Sequence, residues 1–105
     1  MKIKLKYDEQ EQRHLTLTDA DWEEIELFLE RVDDKFVSKL RSRFPQLTIN
    51  DIRLLFLLRL RLSTKTIAEI FKISEKSIKQ KLYLYKKKLG VEGESLSLRK
   101  FIENF

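Results

Sequence analysis

Between Ser74 and Gly90, Lys76, Lys79, Gln80, Tyr83, Lys86 and Lys87 recur at helical spacing. Ammonium groups bring charge and hydrogen-bond donors, a glutamine amide donates and accepts side by side, and a phenol does either. Such a set suits recognition of an anionic partner with hydrogen-bonding edges. A turn of 100° per residue places Lys76, Gln80, Tyr83 and Lys87 opposite Ile78, Leu82, Tyr85 and Leu89. Lys79, Lys86, Ser77 and Leu84 flank the outward row, which is the candidate reading surface.

The elements that must hold this row announce themselves by their caps. Ser74 precedes Glu75-Lys76-Ser77-Ile78-Lys79, and Ser63 precedes Thr64-Lys65-Thr66-Ile67-Ala68, so two helices begin there with Lys72 and Ile73 as the turn between them. Ile67, Ile70 and Phe71 face inward on the shorter helix, and Ala68 lets a neighbour approach. Upstream, Thr48 and Asp51 make a capping box for a helix that is apolar nearly all round through Ile52, Leu54–Leu58 and Leu60, as a buried central helix is. Gly90 ends the long helix, and Lys86, Lys87 and Lys88 complement its dipole. Leu98, Phe101, Ile102 and Phe105 then make one more amphipathic helix. A short helix, a turn and a second capped helix rich in base is the form that lays one helix in a DNA groove.

The N-terminal part has a different character. Lys2 to Tyr7 and His14 to Leu17 alternate apolar and polar residues around a polar run, which predicts a short β-hairpin or extended arm over residues 1–17. Residues 18–46 read as a helix pair. Thr18 and Asp21 cap the first helix, Trp22, Ile25, Leu29 and Val32 form its apolar stripe, and a break near Asp33-Asp34 separates it from Phe36, Val37, Leu40 and Phe44, with Pro45 ending the second. The predicted fold is all-α: a helix-turn-helix bundle over 47–105, preceded by this pair and the possible hairpin arm.

Charge divides the chain in the same way. Asp8 to Asp34 carries eleven acids and two bases, and Lys35 to Phe105 carries seventeen bases and six acids. A basic block of that size attracts polyanions at long range, and nucleic acid is the expected partner because the charge coincides with the capped helix pair. Absence of cysteine removes disulfides and thiolate metal sites, the lone His14 builds no metal site by itself, and no apolar run reaches the roughly 18 residues of a membrane span. These features predict a cytoplasmic setting and no cofactor.

Leu47-Thr48, Leu54-Leu55, Leu57-Leu58, Leu62-Ser63, Lys65, Ile67-Ala68, Ile73 to Lys79 and Lys88-Leu89-Gly90-Val91 stand at the spacing of the LuxR-type helix-turn-helix output domain, also called the GerE or NarL-like domain. The resemblance runs without a gap over about 45 residues. Trp22 to Phe105 is also similar to the C-terminal module of large regulators that carry this domain after tetratricopeptide repeats or a sensor. The resemblance implies that a recognition helix over about 75–89 enters the major groove of double-stranded DNA in transcriptional regulation, with Lys79, Gln80 and Tyr83 at base edges. It also implies phosphate contacts near the helix starts and along the basic end, here Ser63, Thr64, Lys65, Lys76, Ser77, Lys86 and Lys87. A homodimer is implied through Leu98, Phe101, Ile102 and Phe105.

Three positions depart from the family pattern: Arg61 stands where glycine is usual, Lys81 where histidine is frequent, and Asp51 where glutamate is usual. Arg61 predicts either a non-glycine helix end or an altered phosphate contact. With one histidine, no glycine-rich phosphate loop and acids confined to a solvated face, an enzyme with a small-molecule substrate is not expected. The rival reading is a protein-interaction module or antagonist that retains the fold, with Tyr83 and Leu84 as its contact patch.

Overall fold

The computed structural model describes residues 6–7, 15–90 and 97–105. The chain divides into two compact units, residues 1–47 and 48–105. Among the described residues the architecture is helical apart from one pair of two-residue strands.

In the first unit, β1 (Lys6–Tyr7) and β2 (Leu15–Thr16) pair antiparallel, with Lys6 opposite Thr16 and Tyr7 opposite Leu15. Residues 1–5 and 8–14 of the predicted arm, His14 included, lie outside the described residues. Helix α1 (Asp19–Val32) opens with the predicted box: the Asp21 amide donates to Thr18 Oγ1 at 3.2 Å and the Thr18 amide donates to Asp21 Oδ2 at 2.9 Å. Trp22, Ile25 and Leu29 are buried. Val32, expected on the same stripe, is 67% exposed. The chain turns there through Asp34 and Lys35, at φ 51° and 58°, and burial passes to Phe36, the first residue of α2 (Phe36–Arg43). Lys35 offers no side-chain cap to α2. Glu30 of α1 replaces it, accepting the Ser38 amide at 2.9 Å and the Ser38 hydroxyl, and these donors hold its carboxyl below the usual range. Arg41 reaches back to Glu26 at 2.8 Å.

The second unit contains α3 (Ile49–Arg59), α4 (Thr64–Phe71), α5 (Glu75–Lys88) and α6 (Leu98–Glu103). Asp51, Ile52 and Leu54–Leu58 of α3 are all buried, so this helix has almost no solvent face. Each fully buried Leu or Ile contributes roughly 1.5–3 kcal/mol against exposure. Helix α5 packs on α4 and on α6, and α6 also packs on α3. Arg59 at the end of α3 donates through Nη1 to the carbonyls of Ile102 and Glu103 at 2.9 and 2.8 Å, supplying acceptors' partners that a helix C-terminus lacks. Arg99 of α6 returns a bond to the Leu62 carbonyl at 2.7 Å. No helix among the described residues is long and apolar enough to cross a membrane.

Arg61 resolves the question its position raised. It adopts the left-handed conformation itself, φ 64°, and closes α3 with both bonds of a Schellman turn: its amide to the Leu58 carbonyl at 2.9 Å and the Leu62 amide to the Leu57 carbonyl at 3.1 Å. A left-handed residue with a Cβ costs about 1–2 kcal/mol, part of which glycine would return through its freer unfolded chain. Arg61→Gly should therefore raise stability by about 0.5–1 kcal/mol, read as a higher urea midpoint at unchanged slope. An unchanged or lower midpoint would mean that the arginine side chain offsets the strain of its own backbone.

Candidate nucleic-acid interface

Helices α4 and α5 are joined by a second Schellman turn. Lys72 takes the left-handed conformation at φ 59°, its amide donates to the Glu69 carbonyl at 3.2 Å, and the Ile73 amide donates to the Ala68 carbonyl at 3.1 Å. Ile67, Ala68 and Ile70 of α4 and Ile78 and Tyr85 of α5 are buried, as is Leu89 just beyond it, while Leu82 is half-buried. This inward stripe turns Lys76, Lys79, Gln80, Tyr83, Leu84 and Lys87 to solvent, all of them exposed. The Lys87 ammonium lies 4.8 Å from the centroid of the Tyr83 ring, a cation–π contact that orders two long side chains on the outer face. Lys86 is half-buried because it lines a cleft of about 360 Å³ between α5 and α6, with Leu82, Tyr83, Ser97, Leu98 and Arg99.

The two helix starts are near copies of each other. Arg61-Leu62-Ser63-Thr64-Lys65-Thr66-Ile67 is matched eleven residues later by Lys72-Ile73-Ser74-Glu75-Lys76-Ser77-Ile78. At each corner a basic residue is left-handed, the serine accepts the amide of the third helical residue at 3.1 Å, and its hydroxyl donates to that residue's Oγ at 3.0 Å. Ile67 and Ile78 are fully buried. This geometry engages the hydroxyl protons of Ser63 and Ser74 inside the caps, and leaves those of Thr66 and Ser77 to point elsewhere. Ser63 is the cap its sequence predicts, and its hydroxyl proton is engaged within the helix start. Thr64 is half-buried, and Lys65 and Lys76 are exposed at the second position of their helices. Arg61, for which an altered phosphate contact was one of two expectations, and Lys72, expected only in the turn, are exposed beside them. The repeat at an offset of eleven relates the two positions.

Two groups stand out among the cations of the second unit. Arg59 and Arg99 bind backbone carbonyls, and Lys88 forms an ion pair with Asp51 at 2.6 Å. By contrast, Arg61, Lys65, Lys72, Lys76, Lys79, Lys81 and Lys86 form no ion pair or side-chain hydrogen bond among the described residues. The first group is structural, and the second, around α4 and α5, is available to an anion.

Asp51 is the fixed point of the structural group. Its carboxylate accepts the Thr48 amide at 2.9 Å, Lys88 Nζ, and the Tyr85 hydroxyl, so the start of α3 is tied to the last turns of α5. Burial alone would raise its pKa, but these three donors outweigh burial and bring it down to about 2. Burial and the adjacent carboxylate push the Tyr85 phenol up. Lys88 is therefore held by a carboxylate and is not merely a dipole complement.

Leu98 and Ile102 of α6 are buried, and Phe101 and, just beyond the helix, Phe105 stay half-exposed with ring centroids 5.8 Å apart. The apolar stripe expected as one face is thus divided between core and surface. Comparison of the chain with known protein families, with curated proteins and with solved structures finds no match.

Proposed function

We propose that this chain binds double-stranded DNA sequence-specifically and acts in transcriptional regulation, with α5 as the recognition helix in the major groove. The observation that carries the reading is the sorting of the cations: those that hold the fold are paired, and those around the paired helix starts form no ion pair among the described residues. The resemblance of residues 47–91 to the LuxR-type output domain supports the same assignment. In it Lys79 and Gln80 read base edges, lysine to guanine N7/O6 and glutamine bidentate to adenine, and Tyr83 lies against an edge or the backbone. Lys65, Lys76, Ser77, Lys86 and Lys87 set position on the phosphates, joined by Arg61, Thr66 and Lys72 from the repeated corners. The protein works by binding, in the cytoplasm, as a homodimer on two half-sites, with half-exposed Phe101 of α6 and Phe105 just beyond it at the contact with the second copy.

Fluorescence anisotropy of the full chain with a random-sequence duplex pool across a salt series, followed by sequencing of the retained fraction, tests the reading. Steep salt dependence with enrichment of a motif supports it. No binding at low salt would remove it and leave the protein-interaction module. Within the same experiment, Lys65→Ala should weaken binding to all sequences alike and flatten the slope of log K against log salt by roughly one. A loss confined to the enriched motif would place Lys65 at a base instead.

A further inference from the structure

Leu84 does not fit a surface made only to be wetted. It is 54% exposed on α5, although the neighbouring apolar positions Leu82 and Tyr85 turn inward. Counting along the helix, Lys76, Gln80 and Leu84 succeed one another at four-residue intervals, so they form a single ridge on the outer face. Tyr83 stands beside this ridge with its ring against Lys87. A leucine on a face that also carries exposed lysines is a poor seat for an apolar protein partner, because docking there would desolvate the ammonium groups around it. In a DNA major groove the situation is different: phosphates meet the lysines, and the one apolar group displayed on the groove floor is the C5-methyl of thymine.

We infer that Leu84 is a specificity-determining residue that reads a thymine methyl group. The inference rests on the proposed DNA reading and narrows it to a chemistry. Four residues of helix rise about 6 Å, close to two base-pair steps of roughly 3.4 Å, so the thymine lies within about two steps of the adenine taken by Gln80. The preferred site therefore contains an A·T pair and a nearby thymine, read by an amide and by an apolar contact from one ridge. Sequence-independent binding owes nothing to Leu84.

The test uses the duplex that the wild-type chain enriches from the random pool, with each thymine replaced in turn by deoxyuridine, which removes only the methyl group. Anisotropy titrations compare wild type with Leu84→Ala and Leu84→Gln, and circular dichroism checks that the helices are retained. At one thymine the wild type should lose about fourfold in affinity, the value of one buried methyl, and both variants should be indifferent to the change. Affinity of all three proteins for non-specific duplex should be equal. Enrichment of a motif in which no uracil substitution distinguishes wild type from the variants overturns the leucine assignment and leaves DNA binding intact. Failure of the wild type to bind any duplex at low salt overturns both. A variant that loses self-association or capture of a protein partner while thymine and uracil duplexes bind alike assigns Leu84 to a protein contact and also overturns the inference.

Discussion

Asp51→Ala should lower stability by about 3 kcal/mol, the largest loss expected from a single polar substitution here. The carboxylate caps α3 through the Thr48 amide and anchors α5 through Lys88 and Tyr85, so truncation removes a cap and an interhelix tie together. Asp51→Asn keeps an acceptor for the amide and should cost about half as much. The pH dependence separates charge from shape. The folded pKa of about 2 is below the ordinary value of 3.8, so the ionised group stabilises the fold fully above about pH 4. That contribution, about 2 kcal/mol, declines as the pH falls through 2. Urea midpoints measured between these pH values should fall more steeply for wild type than for Asp51→Asn. Parallel curves would show that another carboxylate controls the acid limb.

Lys79→Ala and Gln80→Ala should each weaken binding to the preferred duplex by about 1–3 kcal/mol, roughly five- to 150-fold, with the fold retained. Both side chains are exposed on α5, and neither makes an ion pair or side-chain hydrogen bond among the described residues, so stability should stay within about 0.5 kcal/mol of wild type. The two should differ on random duplex. Gln80 is neutral and its loss should leave non-specific affinity unchanged, whereas Lys79 contributes charge and its removal lowers both. If both variants bind the preferred duplex as wild type does, α5 is not the helix in the groove.

The helices were legible because their starts are chemical events. Thr18 with Asp21, Thr48 with Asp51, Ser63 and Ser74 each name a cap that the structure contains. Helix ends were harder to read, because left-handed corners are usually marked by glycine and here Asp34, Lys35, Arg61 and Lys72 occupy them. The break near Asp33-Asp34 was legible but not that it would leave Val32 in solvent, and Lys72 was legible as a turn residue but not as the counterpart of Arg61 in a repeated corner. The outward row of α5 followed from periodicity alone, since burial of Ile78, Tyr85 and Leu89 fixes the opposite face. Periodicity could not distinguish Leu98 and Ile102 from Phe101 and Phe105, because which side of a short amphipathic helix meets its own core depends on tertiary packing. Nor could it reveal that Lys88 differs from Lys86 and Lys87. A run of three lysines looks uniform until Asp51, 37 residues away, selects one.

The bonds that fasten α6 join residues far apart in the chain: Arg59 to the carbonyls 43 and 44 positions on, and Arg99 to one 37 positions back. Closing loops of that length carries an entropy cost that local contacts between α4 and α5 avoid. A short terminal helix would otherwise be free to fray by itself. Because its last carbonyls and first turn are both held by the α3 end of the unit, α6 cannot detach without exposing Leu98 and Ile102 and stranding Arg59. The consequence is cooperativity: opening at the C-terminus is coupled to loss of the core beneath it, and the second unit melts as a block.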